Sequence, residues 1–171
     1  MNFPFKGVVP TIDPNTFVAP NASLIGDVSL ASGVSCYFGS ILRADEAPII
    51  IDENSNIQDG VIIHCDPDVP CKIGKNVTVG HGAVLHSCTI QDGALIGMGA
   101  IVLSRAVVGE CAIVAAGAVV REGDSVPPYH LFAGVPATIK RVLSQDSKKD
   151  RLGLAAHYVE LLGIYKEEIE P

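Results

Sequence analysis

The sequence predicts an all-β chain wound as a parallel β-helix of hexapeptide repeats, with one helix after it. Three observations carry this reading: a six-residue ladder of aliphatic residues, a second ladder of small residues, and a change to helical spacing near the C-terminus. The first ladder reads Ile12, Val18, Leu24, Leu30, Cys36, Leu42, Ile51, Ile57, Ile63, Ile73, Val79, Leu85, Ile90, Ile96, Val102, Val108, Val114 and Val120. Four residues after each rung stands a small or short residue, as at Ala22, Val28, Ser40, Ser55, Ala83, Thr89, Ala94, Ala100 and Ala112. Each hexad is one short strand plus a corner, and three hexads close a triangular turn. The large aliphatic fills the prism, and the small residue sits where two walls converge. Eighteen hexads give about six coils, stacked at the ordinary inter-strand spacing of about 4.8 Å.

Beyond Val120 the ladder stops. Val126-Pro127-Pro128 and Gly134-Val135-Pro136-Ala137 read as turns that lead the chain off the last coil. Ser144 to Ser147 is a polar connector. From Lys148 to Glu170, apolar residues at Leu152, Ala155, Ala156, Val159, Leu162 and Ile164 or Tyr165 recur at helical spacing. The expected organisation is one domain: residues 1–143 as the coil with its terminal turns, and 144–171 as connector and helix packed along the prism.

Composition agrees. The 171 residues are 48% hydrophobic but only 5% aromatic, with no Trp, as suits a narrow aliphatic interior. A net charge of −7 argues against a nucleic-acid groove or an anionic membrane as partner. No apolar run approaches the roughly 18 residues of a membrane span. Five Cys at irregular spacing, with no leader-like N-terminus, fit a reducing cytoplasm.

The ladder departs from strict six in three places, and they cluster. Three extra residues follow Leu42, four follow Ile63, and one is missing between Leu85 and Ile90. Taken as corner loops, these leave the hexads of Leu42, Ile63 and Leu85 on one wall, one coil apart. Arg43, His64 and His86 each follow the inward aliphatic, so they point outward in a column. Two imidazoles so stacked can converge on one ion. His81 falls on the adjacent wall, across a convex corner, and cannot readily join them within one chain. A threefold assembly brings the two walls together, so the spacing predicts a homotrimer with three metal sites between subunits. Three His leave a fourth position open, the catalytic pattern for zinc.

Gly80-His81-(four residues)-His86, with His64 seventeen residues before His81 and Arg43-Ala44-Asp45 on the earlier coil, resembles the gamma-class carbonic anhydrases. The resemblance covers essentially the whole chain, and from it comes the expectation that the β-helix is left-handed. It implies a trimeric enzyme that hydrates CO2 to bicarbonate with a metal-bound hydroxide. Its metal ligands would be His64, His81 and His86, with zinc as the default ion and Fe(II) or Co(II) also suited to three imidazoles. Arg43 and Asp45 look like the family's ion pair at the subunit interface. Asn56 and Gln58 match polar residues around its reactive water, Glu46 a proton-relay acid, and Tyr158 a tyrosine that reaches the site from the C-terminal helix. One departure stands out. The family's archaeal prototype has a long acidic loop after its first His, where this chain has only Cys65-Asp66-Pro67-Asp68-Val69-Pro70-Cys71-Lys72.

Two other functional classes share the repeat. A CoA-dependent acyltransferase or thioesterase would need one general-base His and a pantetheine groove, to which three convergent His are surplus. A non-catalytic carbonic-anhydrase-like protein would keep the site without the turnover. Cys65 and Cys71, near the His column, are expected as free thiols, and His130 and His157 as surface residues.

Overall fold

The computed structural model describes residues 1–169. Short parallel strands form three walls, each seven strands deep. The first wall runs from Asn2–Phe3 through Ile62–His64, Val84–His86 and Ile101–Val102 to Val119–Val120. The second runs from Thr11–Ile12 through Cys71–Ile73 and Thr89–Ile90 to Ser125–Val126. The long strands Ser23–Leu30 and Ile41–Ile51 bend through the corner and serve both. The third wall holds Phe17–Val18, Asn56–Ile57, Thr78–Val79 and Leu95–Ile96, and ends on His130–Gly134. The result is a parallel β-solenoid of about seven turns. It is one turn longer than eighteen hexads require, because Asn2–Phe3 precedes the ladder and Ser125–Val126 and His130–Gly134 extend it. The Pro-rich segment expected to leave the coil instead carries the last turn, and Ala137–Val142 then folds back antiparallel on His130–Gly134.

The core is the aliphatic ladder itself. Leu24, Leu42, Ile57, Ile63, Ile73, Leu85, Ile90 and Ile96 are all essentially inaccessible, as are Ala22, Ser40, Ser55, Ala83, Ala94, Ala100 and Ala112. Each large side chain so buried is worth about 1.5–3 kcal/mol. Thr89 is the exception to the second ladder. Its hexad is one residue short, so Cys88 takes the inward position and Thr89 turns outward. The glycines after inward aliphatics serve close approach: a Cβ at Gly80 would stand 2.8 Å from the Met98 amide nitrogen, and one at Gly109 2.5 Å from that of Pro128.

The extra residues after Leu42 are a corner loop. Ala44 pairs with Gly26 and Ile49 with Val28, so Asp45–Pro48 opposes Asp27 alone and the register then resumes. Gly26, at φ +74°, lets the Ala44 carbonyl approach; a side chain there would collide with it.

The Gln145–Ser147 turn leads into helix α1, Lys148–Ile169. Glu170, the expected helix end, lies outside the described residues. Ala155 and Leu162 are buried, and Tyr158 and Tyr165 pack with Phe17 and Tyr37 on the third wall. Tyr165, and not the exposed Ile164, takes the contact position, stacking on Phe17 at 5.1 Å between centroids. Lys148 anchors the start of the helix on Glu110 at 2.9 Å, and Lys166 reaches the Pro14 carbonyl near its end. No helix among the described residues is long and apolar enough to cross a membrane.

Candidate metal centre

Parallel pairing aligns Arg43 with His64 and His64 with His86, so the three side chains form a column on the first wall. The imidazoles face each other, with His64 Nδ1 3.1 Å from His86 Nε2. Two nitrogens on one tetrahedral ion at 2.0–2.1 Å would stand about 3.3 Å apart. The pair is therefore spaced to share an ion with little movement.

The outer nitrogens of both rings are held. His64 Nε2 lies 3.0 Å from Asp45 Oδ1, and the other Asp45 oxygen accepts from Arg43 Nη1 at 2.5 Å. Desolvation works against the Asp45 charge, but the Arg43 and His64 hydrogen bonds outweigh it and hold the carboxyl below the usual range. His86 Nδ1 lies 3.0 Å from Ser104 Oγ, whose hydroxyl donates to Asp66 Oδ2 at 2.6 Å. A carboxylate only accepts, so His64 Nε2 is the donor to Asp45. Ser104 has spent its one hydrogen on Asp66, so His86 Nδ1 must donate to Ser104. The lone pairs left over, on His64 Nδ1 and His86 Nε2, are the two that face each other.

His81 stands on the third wall, beyond the strand Thr78–Val79. Its Nδ1 lies 2.8 Å from Asp59 Oδ2, its side chain is about half exposed (46%), and Nε2 is left to point elsewhere. Asn56 and Gln58 lie on the same wall one coil earlier, both buried. Gln58 Oε1 accepts from the His81 amide at 3.2 Å, Gln58 Nε2 donates to Asn56 Oδ1 at 3.1 Å, and Asn56 Nδ2 donates to Thr78 Oγ1 at 2.9 Å. The two amides thus form a chain that fixes the backbone at His81. Among the described residues, no three His, Cys, Asp or Glu side chains of the one chain gather at a metal's distance. His64 and His86 converge, and His81 does not join them.

Glu46 is exposed on the corner loop, where it lines a cavity of about 190 Å³ with Asp45, Asp27 and Lys6. Tyr158 meets Tyr37 edge-on at 5.4 Å, and burial, then the nearby Asp59 charge, pushes its hydroxyl above the usual range. That places Tyr158 on the His81 side. A larger cavity, about 420 Å³, is lined by Ile50, Lys72, Thr89 and Glu110 and contains no histidine. Cys65 and Cys71 are free and buried, and burial pushes the Cys65 thiol up to about 12. Cys71 has Cys88 as its neighbour, the sulfurs 3.9 Å apart. What sequence reasoning missed are the partners: Asp59, Ser104 and the hydrogen bond that Asp66 accepts from Ser104. Asp59 sits beside Gln58 and is legible in hindsight; Ser104 lies 38 residues from Asp66 and carries no motif.

This fold and histidine wall define the class, a hexapeptide-repeat solenoid with a candidate metal centre. A family model described as bacterial transferase hexapeptide (six repeats) matches residues 87–122. The chain is 40% identical to a carbonic anhydrase from Geobacillus kaustophilus, over 97% of this chain and 91% of that one. It is 39% identical to mitochondrial gamma carbonic anhydrase 2 from Arabidopsis thaliana over 93% of its own length, but spans only 59% of the plant protein. It is equally similar, at 39%, to the carnitine operon protein CaiE of Escherichia coli, covering 94% of this chain and 82% of that one. The crystal structure of a hexapeptide transferase family protein from Anaplasma phagocytophilum superimposes with a TM-score of 0.93 at 37% identity, covering 96% and 98% of the two chains. The chain belongs to the gamma carbonic anhydrase-like family of hexapeptide-repeat proteins.

Proposed function

We propose that this protein is a homotrimeric, metal-dependent carbonic anhydrase, hydrating CO2 to bicarbonate in the cytoplasm at sites between subunits. The observation that carries the reading is the His64–His86 pair, with facing nitrogens 3.1 Å apart and outer nitrogens held by Asp45 and by Ser104. His64 and His86 supply two ligands, and His81 of a neighbouring subunit supplies the third through its free Nε2. Zinc is the default ion, and Fe(II) or Co(II) also suits this donor set. Such an ion, when bound, would supply Lewis-acid chemistry, bringing the pKa of water at the site down to near neutrality and so providing a nucleophile for CO2.

The chain's own residues do the rest. Asp45 and Ser104 hold the ring proton of His64 and His86 on the outer nitrogen, so the facing nitrogen presents its lone pair, and Asp59 does the same for His81 through Nδ1. Gln58 and Asn56 fix the His81 backbone, and the second N–H of Gln58 Nε2 is available to orient substrate. Glu46 takes the released proton outward, and Tyr158 closes the His81 side. The first wall carries exposed Ile41 and Ile62 in register beside the histidines, an apolar stripe suited to subunit contact, with Arg43 and Asp45 as the polar pair at its edge.

Likeness to CaiE and to a hexapeptide transferase keeps acyl transfer and a non-catalytic role as competitors. Acyl transfer does not explain two imidazoles poised on one point, and a non-catalytic role differs from the proposal only in lacking turnover. Metal analysis of anaerobically purified trimer, with stopped-flow CO2 hydration, tests the proposal. One metal per subunit, lost in His81→Ala, together with CO2 hydration supports it. A metal-loaded trimer without hydration would leave the non-catalytic reading, and a metal-free protein active on acyl-CoA would replace it.

A further inference from the structure

Each of the three histidines has its outer nitrogen tied, directly or through a hydroxyl, to a carboxylate. Asp45 holds His64 and Asp59 holds His81 by direct contact. The third connection is built differently, from residues far apart in the chain. His86 Nδ1 is 3.0 Å from Ser104 Oγ, and Ser104 donates to Asp66 Oδ2 at 2.6 Å. The direct separation of His86 Nδ1 from Asp66 is 3.8 Å, so the hydroxyl is the link.

The Asp66 end of this relay is fixed by two of the breaks in the ladder. Asp66 opens the four-residue insertion after His64, and its amide donates to Ser87 Oγ at 2.5 Å. Ser87 sits at φ 45° in the hexad that lacks one residue. Ser104 stands at the corner one coil on, after Val102, which pairs with Leu85. Its carbonyl accepts from Gly123, which fixes the backbone there.

We infer that Ser104 and Asp66 are positioning residues for His86, holding its proton on Nδ1 so that Nε2 presents a lone pair to a divalent cation. The inference rests on the metal reading proposed above. It also gives Asp66, the first acid of the loop after His64, a role in orienting a ligand. Outer partners of metal-ligating histidines typically set 10–100-fold of metal affinity.

Ser104→Val and Ser104→Thr are a matched pair, nearly equal in shape and differing in the hydroxyl; Asp66→Ala removes the far end. Cobalt(II) affinity is measured by competition with a chromophoric chelator on the trimer. The position of the His86 proton is read in metal-free protein from long-range proton–nitrogen correlations. The expected result is cobalt affinity 10–100-fold weaker in Ser104→Val and Asp66→Ala, and within a few-fold of wild type in Ser104→Thr. The His86 proton should sit on Nδ1 in wild type and Ser104→Thr and shift towards Nε2 in Ser104→Val. Valine and threonine variants that bind cobalt equally, with the proton unmoved, overturn the inference and leave the three-histidine site standing. A wild type that binds no cobalt, or binds it undiminished after His81→Ala, overturns the site itself and the inference with it.

Discussion

His64 and His81 lie seventeen residues apart in the chain yet on different walls, the first paired with Arg43 and His86 and the second following a strand paired with Asn56–Ile57. A convex corner separates them, so one chain holds two converging imidazoles and one that faces away. A metal site made from all three has to use a second subunit.

Mixing therefore discriminates. In the proposed trimer each site takes His64 and His86 from one subunit and His81 from the next. If His81→Ala and His64→Ala chains are refolded together in equal amounts, each site has its intact halves with a chance of one half times one half. About a quarter of the sites should regain three ligands in such cyclic trimers. Metal content near that fraction in the mixture, against none in either parent, is the expected measurement. A mixture no better than its parents would mean that the walls do not meet in this way.

How much of the molecule is legible in its sequence follows from what each feature depends on. The ladder of Leu42, Ile63 and Leu85 is a local rule repeated, and stacking neighbours enforce it, so wall, column and register can all be counted from the sequence. The seventh turn is hidden because Pro127 and Pro128 look like an exit, although Ser125–Val126 needs only two residues to pair. The inward place of Cys88 follows from the missing residue, whereas strict counting assigns it to Thr89. Asp59 and Ser104 escape because hydrogen-bond partners across coils obey geometry, not spacing. Tyr37, buried between Phe17 and Tyr158, joins the site region only because the helix covers the third wall.

The glycines that follow inward aliphatics should be sensitive to a single methyl. At Gly109 an added Cβ would stand 2.5 Å from the Pro128 nitrogen and 2.8 Å from the Val126 carbonyl oxygen, both backbone atoms that cannot rotate away. The coils would have to part locally. Gly109→Ala should lose about 1–3 kcal/mol, the usual range for overpacking, read from denaturant midpoints. Gly117→Ala meets no atom within 4 Å but sits at φ +66°, so any loss there comes from backbone strain. Equal stability of Gly109→Ala and wild type would mean that the coils are not so closely stacked.

Stability should fall on the acid side through the clasp at the start of the helix. Hydrogen bonds from Lys148 and then Tyr129 hold the Glu110 carboxyl below its ordinary 4.5. The folded form thus prefers the carboxylate more than the unfolded chain does. The contribution is complete above pH 4.5 and declines as pH falls, because the unfolded chain takes up the proton first. Glu110→Gln should have a lower melting temperature near pH 7 and a shallower loss between about pH 5 and 3. Parallel acid limbs in the two proteins would place the helix anchor elsewhere.

Proton transfer, and not attack on CO2, should limit turnover. The stretch between His64 and Ile73 is short, and its first acid, Asp66, is engaged with Ser104 and through it with His86. Asp68 lies at the exposed tip of the loop, at φ 61°. In the proposed mechanism Glu46, exposed beside Asp45 in the small cavity with Asp27 and Lys6, is the acid that takes a proton from the site to solvent. A general acid–base group typically contributes 10²–10⁴-fold, so a single relay should cap the rate below what the metal allows. A small buffer such as imidazole can enter and carry the proton instead. Turnover should therefore rise with imidazole concentration at constant pH, and Glu46→Ala should lower the rate without buffer while leaving metal content unchanged. Added imidazole should then restore much of the loss, since the variant keeps its metal and its ligands. Turnover that stays flat with buffer in both proteins would exclude proton transfer as the slow step and return Glu46 to the status of a solvated acid on the corner loop.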